Sequence, residues 1–264
     1  MQNLLFLIYI IYIMATYSDK KYKHVYGPIY SRRLGVSLGV DMVPHKTCSL
    51  DCVYCECGAT TLLTTERMEY IPAGDIIAEV DDYLGDSKNP VPDYVTFGGS
   101  GEPTLHSGLG RIIGHLKERF PSQKLALLTN STLLNDDQLR RDILLCDLIL
   151  PSLDAVTDEV FRKVNAPEPS INCEGIIRGL AALSSEYKGQ LWLEVFISPG
   201  INDGDAEVAL FKDVITGINP TRVQLNSLDR PGTDRALAAA SGPSLEEIAK
   251  RFAPLPVEII ARQR

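Results

Sequence analysis

Long apolar runs are scarce in the 264-residue sequence. The unbroken stretch from Leu4 to Met14 has eleven residues, and a bilayer span needs about 20. A secretory signal would carry a basic residue before such a stretch and a small-residue cleavage site after it, and residues 1–3 have no charged side chain. We therefore expect a cytoplasmic protein without a stable membrane span. Translation would start at Met14, residues 1–13 would be an apolar extension, and residues 14–264 would form one domain. A hydrophobic anchor is the second interpretation.

Positive charge is also in short supply. The chain has 26 Lys and Arg against 34 Asp and Glu, a formal net charge of −8. This balance argues against a surface built mainly to hold nucleic acid. Five basic residues nevertheless lie close together near the start of the chain: Lys20, Lys21, Lys23, Arg32 and Arg33. They form either an ordinary solvated face or a contact for a polyanion such as tRNA.

Cysteine is rare outside one short segment. Four of the six cysteines lie between Cys48 and Cys57, while Cys146 and Cys173 stand alone. This distribution excludes a disulfide framework and fits a reducing compartment. We interpret Cys146 and Cys173 as structural residues. The four histidines form no metal-binding or nucleophilic pattern.

From Leu34 onward, apolar runs of strand length alternate with stretches of helical periodicity, which is typical of βα units around a parallel sheet. Strands are predicted at Leu34–Asp41, Tyr94–Phe97, Lys124–Thr129, Leu148–Leu153, Leu191–Ile197 and Arg222–Leu225, with a short further strand at Val257–Ile260. Helices are predicted around Ile76 to Leu84 and at Leu109–Phe120, Asp136–Leu145, Val156–Val164, Cys173–Tyr187, Ala206–Ile218 and Ser244–Phe252. Six such units predict an α/β fold, an open partial (β/α)6 barrel with outer helices. Such sheets bind ligands at the carboxyl ends of their strands.

Three cysteines follow the first predicted strand with the spacing C-x3-C-x2-C: Cys48, Cys52 and Cys55. Three thiolates on one loop can hold three irons of a [4Fe-4S] cluster and leave the fourth iron open to a small molecule. A structural zinc site is the alternative, with Cys57 as its fourth thiolate. Zinc sites usually join two separated pairs of ligands, whereas these four thiols lie within ten residues. The spacing therefore favours the cluster.

This cysteine loop resembles the signature of the radical S-adenosylmethionine (radical SAM) superfamily. The resemblance implies that Cys48, Cys52 and Cys55 hold the cluster and that S-adenosylmethionine binds the open iron. Tyr54 occupies the aromatic position before the third cysteine, where backbone atoms of the family meet the adenine. Alternatively, Tyr54 shields the cluster from solvent. If Cys57 ligated the fourth iron, the cofactor could not bind, so we interpret Cys57 as a non-ligand.

A glycine-rich turn follows the second predicted strand, Gly98-Gly99-Ser100-Gly101-Glu102-Pro103. It is similar to the Gly-Gly-Glu motif of the superfamily, with Ser100 as a departure. The resemblance implies that Ser100, Gly101 and Glu102 seat the methionine end of the cofactor. Glycine suits a place where a ligand approaches the chain closely.

Polar residues also follow the later strands. Asn130 comes after the third strand, and Ser152 and Asp154 come at the end of the fourth. In relatives, polar residues at this place bind the ribose of the cofactor; the alternative for Ser152 and Asp154 is helix capping. Glu194 lies within the apolar fifth strand, where a carboxylate needs a partner. That partner is either a ligand or a buried Arg or Lys.

The segment from Gly27 to Gly35, together with the motifs above, narrows the resemblance to iron–sulfur oxidoreductases related to the tRNA wyosine synthases. It implies a monomeric enzyme that takes electrons from an external reductant such as flavodoxin or ferredoxin. It leaves the substrate open between a tRNA base and a peptide or small metabolite. The rival hypothesis from another class is a non-catalytic zinc or iron–sulfur module in electron transfer or regulation.

Overall fold

The chain folds around one eight-stranded sheet and a separate two-stranded ribbon, in a computed structural model that describes residues 22–260. The strands are β1 (Val25–Ser31), β2 (Gly35–Val40), β3 (Thr47–Cys48), β4 (Leu62–Leu63), β5 (Tyr94–Phe97), β6 (Leu125–Thr129), β7 (Leu148–Pro151), β8 (Gln190–Phe196), β9 (Arg222–Asn226) and β10 (Val257–Ile259). The helices are α1 (Ala73–Gly85), α2 (Leu109–Arg119), α3 (Asp137–Ile143), α4 (Asp158–Asn165), α5 (Cys173–Glu186), α6 (Asp205–Ile218) and α7 (Gly242–Arg251). The predictions for residues 1–13, for a start at Met14, and for Lys20 and Lys21 lie outside the described residues.

The large sheet has the strand order β1-β2-β5-β6-β7-β8-β9-β10. Every neighbouring pair from β2 onward is parallel, and β1 pairs antiparallel with β2. Because β1 and β10 do not pair with each other, the sheet stays open. The predicted α/β partial barrel is confirmed, with each of its six strands and the short strand at Val257.

The sequence prediction missed the two-residue strands β3 and β4. It also missed the longer strand β1, because it began the first strand at Leu34. Gly27 and Pro28 interrupt its apolar pattern, and proline inside a run is tolerated only on an edge strand or at a bulge. Both conditions hold here: β1 is the edge of the sheet, and its register with β2 shifts between Tyr26 and Ile29.

The turn of the β1–β2 hairpin packs on the inner face of the sheet. Alternate strand residues point to opposite faces, so Leu125 and Leu127 belong to the main core whereas Ala126 belongs to a second cluster. In that second cluster, the buried turn residue Leu34 packs with Ala126, Leu148 and Leu150. The hairpin turn thereby covers part of the open barrel, and it brings the neighbouring Arg33 inside.

The helices cover the outer face, and three of the seven, α3, α5 and α7, begin at a residue whose side chain caps the helix. The Asp136 side chain accepts the N–H groups of Gln138 and Leu139 at the start of α3, and Asn172 accepts that of Gly175 in α5. Such caps satisfy N–H groups that have no partner within the helix. Within residues 22–260, no helix has the length and apolar character needed to cross a membrane.

Candidate active site

A cavity of about 220 Å³ lies at the carboxyl ends of the central strands. It brings together nine of the eleven residues predicted for the site: Cys48, Cys52, Tyr54, Cys55, Gly101, Glu102, Asn130, Ser152 and Glu194. Ser100 and Asp154 do not line it. Strand ends that are distant in sequence meet here because parallel strands place their carboxyl ends at the same edge of the sheet.

The three predicted cluster ligands each have a side-chain N–H donor on their sulfur atom. Asn130 Nδ2 lies 3.5 Å from Cys48 Sγ, and Asn165 Nδ2 lies 3.3 Å from Cys52 Sγ. Lys46 Nζ lies 3.0 Å from Cys55 Sγ. Donors aimed at sulfur stabilise the thiolate form that binds metal, and hydrogen bonds to sulfur are typical of iron–sulfur sites. The donor set fits a [4Fe-4S] cluster.

The geometry does not resemble a site for a single metal ion. Among the described residues, no three Cys, His, Asp or Glu side chains converge on one point. Cys57 is exposed, lies outside the cavity lining, and places Sγ 3.8 Å from the carbonyl oxygen of Gly99. Its thiol hydrogen-bonds to Cys55, which together with the Lys46 ammonium lowers the pKa of Cys55 to about 5. These observations support the interpretation of Cys57 as a non-ligand.

Lys46 is buried, with 3% of its surface exposed. Its backbone is held in the left-handed region at φ 57°, and its N–H donates to Ser100 O at 3.0 Å. Burial by itself lowers the pKa of this lysine, but the hydrogen bond and the charge of Cys55 outweigh it, so the pKa is raised. The ammonium is therefore charged and directed at the cysteine loop.

Glu102 is a buried carboxylate at the cavity wall, with 3% of its surface exposed. Oε1 accepts from Thr104 N, Thr104 Oγ1 and Thr129 Oγ1 at 2.6–3.0 Å, and Oε2 accepts from Asn130 N at 2.8 Å. Burial raises the pKa of Glu102 despite these donors. All four donors are neutral, so a cationic ligand group in the cavity would compensate the charge. The ammonium of S-adenosylmethionine has that chemistry.

The glycine-rich turn packs on the cysteine loop. A Cβ atom on Gly101 would lie 2.3 Å from Thr47 O, so only glycine allows the two loops to approach this closely. Ser100, which was predicted to seat the cofactor, donates its hydroxyl to Asp41 Oδ2 at 2.8 Å. The structure thus gives Ser100 a role in holding the turn against β2.

Tyr54 lies flat against Phe196, with ring centroids 3.8 Å apart and planes 14° from parallel. Its hydroxyl donates to Asp154 Oδ2, and Asp154 Oδ1 accepts from Phe196 N at 3.0 Å. Asp154 was predicted either to bind ribose or to cap a helix. The second alternative is wrong because Thr157 is the N-cap of α4. Asp154 is buried behind Tyr54 and positions it, whereas Ser152 lines the cavity.

Glu194 pairs with Arg33, as one of its two predicted alternatives required. Arg33 Nη1 contacts Glu194 Oε2, and both residues line the cavity together with Ser152. The backbones of Ser152 and Glu194 form an isolated parallel β-bridge. Burial lowers the pKa of Arg33. Arg32 also has a carboxylate partner, Asp229 at 3.3 Å, but its side chain is 43% exposed and stays on the solvated face, whereas Arg33 turns into the cavity.

The loop after β9 covers the cysteine loop. Thr233 Oγ1 donates to Cys52 O at 3.1 Å, and Asp234 N donates to Val53 O at 2.8 Å. A Cβ atom on Gly232 would lie 2.6 Å from Tyr54 Cα, so the contact requires glycine. This cover shields one side of the cysteine loop from solvent.

Three residues of the site were not identified from the sequence as site residues: Arg33, Lys46 and Asn165. Lys46 precedes Cys48 by two positions, so a lone lysine beside the cysteine motif was a usable signal. Asn165 lies 113 residues from Cys52, and Arg33 lies 161 residues from Glu194. No local pattern indicates such pairs.

Comparison with known proteins places these features in a family. A profile of the Radical SAM superfamily matches residues 42–211. A Methanocaldococcus jannaschii protein of the UPF0026 group is 34% identical over 229 residues, which cover 86% of this chain and 70% of that protein. A Brachyspira hyodysenteriae protein named GTPase Obg is 37% identical over 237 residues, but the chain spans only 34% of its length.

Solved structures agree at the level of the fold. A radical SAM methyltransferase from Sphaerobacter thermophilus superposes with a TM-score of 0.66 at 16% identity, over 86% of this chain and 67% of that chain. TYW1, solved with a lysine-pyruvate adduct bound, superposes with a TM-score of 0.56 at 17% identity, over 82% of this chain and 72% of that chain. The open sheet, the cysteine loop at its edge and the sequence matches lead to one conclusion. The chain belongs to the radical SAM superfamily, whose members use a [4Fe-4S] cluster and S-adenosylmethionine.

Proposed function

We propose that this protein binds a [4Fe-4S] cluster through Cys48, Cys52 and Cys55 and uses it to cleave S-adenosylmethionine reductively. The observation that carries the proposal is the meeting, in one cavity, of three sulfur atoms with N–H donors and a buried carboxylate whose donors are all neutral. The sulfur atoms suit the irons, and Glu102 suits the ammonium of the cofactor.

When bound, the cluster supplies an electron that splits a C–S bond of the sulfonium to give methionine and a 5′-deoxyadenosyl radical. The protein's own side chains bind and orient the cofactor. Glu102 accepts a hydrogen bond from the ammonium group of the cofactor. Gly101 leaves room for the methionine end, and the hydroxyl of Ser152 hydrogen-bonds to the ribose. Tyr54 is held against Phe196 and walls off the adenine side. The loop after β9, which covers one side of the cysteine loop, limits the access of water from that side.

The substrate belongs on the side of the cavity that Arg33 and Glu194 line. This ion pair presents both a donor and an acceptor to a polar group. A peptide end or small metabolite is favoured over a tRNA base, because the formal charge is −8 and because Arg32 and Arg33 are engaged in ion pairs. The tRNA base remains the second candidate.

The reaction requires a one-electron donor of low potential, and flavodoxin or ferredoxin has that chemistry. All six cysteines are free, which suits the reducing cytoplasm. A monomer suffices for the site, since the described residues of one chain supply every group named above.

The decisive experiment is the detection of 5′-deoxyadenosine. Anaerobically reconstituted protein, reduced with dithionite and given S-adenosylmethionine, is expected to bind about four irons per chain and to release 5′-deoxyadenosine and methionine. Chromatography with mass detection measures both products. Cys48→Ala, Cys52→Ala and Cys55→Ala should each lose the cluster and the product.

Cys57→Ala is the matched control, because it removes a thiol from the same loop that does not line the cavity. It should keep the iron and the product. Stoichiometric zinc without iron after anaerobic reconstitution, or a full cluster that yields no 5′-deoxyadenosine, would instead favour the non-catalytic module.

A further inference from the structure

Lys46 is a buried cation without a carboxylate partner among residues 22–260. Its ammonium has one hydrogen-bond acceptor there, Cys55 Sγ at 3.0 Å. A buried charge is costly unless it is paired. The cysteine loop therefore supplies the group that the buried ammonium of Lys46 pairs with.

The position of Lys46 is strongly determined by its backbone. The residue is in the left-handed region, which is uncommon for side chains other than glycine and asparagine. Its N–H donates to Ser100 O at 3.0 Å, and its carbonyl oxygen accepts from Thr61 N at 3.0 Å and Leu62 N at 3.2 Å. Strained backbone persists only where the surroundings over-determine it. Two other segments of the chain thus fix the backbone of Lys46, from which the ammonium reaches Cys55.

The three sulfur donors are not equivalent. Asn130 and Asn165 carry neutral amides, while Lys46 carries a full positive charge. Reduction adds one negative charge to a cluster. A fixed cation beside one ligand sulfur lowers the energy of the reduced form more than that of the oxidised form, so it raises the reduction potential.

We propose that Lys46 is a positioning residue that raises the reduction potential of the cluster held by Cys48, Cys52 and Cys55, through its ammonium at Cys55 Sγ. The inference rests on the proposed function, because it requires the cluster. The electron comes from a one-electron donor of low potential and goes to the cluster, and Lys46 keeps its proton throughout.

The test is a redox titration without S-adenosylmethionine. Wild-type protein, Lys46→Met and Lys46→Gln are reconstituted anaerobically and titrated with dithionite in the presence of redox mediators, and electron paramagnetic resonance measures the reduced fraction. At the wild-type midpoint, Lys46→Met should show a ratio of reduced to oxidised cluster that is lower by about tenfold, which equals a fall of 59 mV for a one-electron couple. Lys46→Gln should show a smaller fall, because it removes the charge but keeps an N–H donor.

Lys250→Met is the matched control. Lys250 is exposed on α7, where it pairs with Glu247 at 3.6 Å, and α7 supplies no residue to the cavity lining. Its midpoint should equal that of the wild type. Iron content and circular dichroism are measured for every variant.

Two outcomes would overturn the inference. In the first, Lys46→Met has the wild-type midpoint. In the second, both Lys46 variants stay folded but fail to bind iron, which would make Lys46 a residue for cluster assembly. A wild-type protein that binds the cluster but gives no 5′-deoxyadenosine would overturn the proposed function alone, since the titration requires no cofactor cleavage.

Discussion

Lys46 and Glu102 are two buried charges of opposite sign that are not paired with each other. Lys46 reaches the sulfur of Cys55, and Glu102 accepts neutral donors at the wall of the cavity. An isolated buried charge is unfavourable unless a bound group compensates it. In the proposed site, the cluster compensates the charge of the lysine, and the ammonium of the cofactor compensates that of the carboxylate.

Replacing Glu102 by Gln should weaken cofactor binding and leave the iron in place. A hydrogen bond to a charged group contributes about 1.5–3 kcal/mol, so we expect the dissociation constant of S-adenosylmethionine to rise by roughly ten- to a hundredfold. Equilibrium binding to the reconstituted protein measures it, and iron content is the control. Loss of iron in Glu102→Gln would contradict the assignment.

The same carboxylate predicts a pH dependence. Burial raises the pKa of Glu102 above its ordinary value of 4.5, and only the ionised form attracts an ammonium group. Cofactor binding should therefore weaken as the pH falls through this raised pKa, and it should strengthen as the pH rises above it. The affinity of Glu102→Gln should stay flat over the same range. An identical pH profile in both proteins would show that another group titrates.

At the scale of elements, the β1–β2 hairpin contributes to both the core and the site. Its turn buries Leu34 on the inner face of the sheet and brings Arg33 to Glu194. The segment from Gly27 to Gly35, which narrowed the family resemblance, thereby acquires a physical role. It closes one side of the open barrel and supplies the cation of the cavity.

Leu34→Ala tests this role of the hairpin. Truncating a buried leucine usually costs 2–5 kcal/mol through lost burial and the cavity left behind, and we expect about 2 kcal/mol because the inner cluster is small. Urea unfolding of the iron-free protein, followed by circular dichroism, measures the free energy of unfolding. Leu210→Ala on α6 is the matched control, because Leu210 is 44% exposed. Its effect should stay within about 0.5 kcal/mol. Equal effects of the two substitutions would mean that the turn is not packed as described.

At the scale of the whole molecule, charge separates the two candidate substrate classes. Phosphate contacts supply most of the affinity for nucleic acid, and their number sets the salt dependence of binding. The chain carries a net charge of −8, and the structure commits Arg32 and Arg33 to ion pairs. The net charge therefore opposes a phosphate backbone, and two of the basic residues near the start of the chain already have carboxylate partners.

We accordingly expect only weak, non-specific binding of unmodified tRNA at physiological salt, with a dissociation constant of about 10⁻⁴ M or weaker. Filter binding over a series of salt concentrations measures both the affinity and its salt slope. The variant with Lys20, Lys21 and Lys23 changed to Ala is the comparison. Submicromolar binding with a steep salt slope that this variant flattens would restore the tRNA base as the favoured substrate.

The order of elements could be derived from the sequence because it depends on local patterns. The apolar run of Tyr94–Phe97 indicates a strand. The cap and the helical periodicity of α5 indicate a helix. The cysteine loop is equally local, since its three predicted ligands lie within eight residues. Strand β1 escaped prediction because its proline breaks the local pattern that an edge strand tolerates.

The hydrogen-bond and ion-pair partners of the site residues could be identified only from the tertiary structure. Ser100 and Asp154 follow the same strand ends as Gly101 and Ser152, yet their side chains bond to Asp41 and Tyr54 rather than line the cavity. Lys46, Asn165 and Arg33 became site residues only through contacts with other loops and strands. Which way a side chain turns at a strand end depends on the neighbour that satisfies its polar atoms, and chain folding alone brings that neighbour within hydrogen-bond distance.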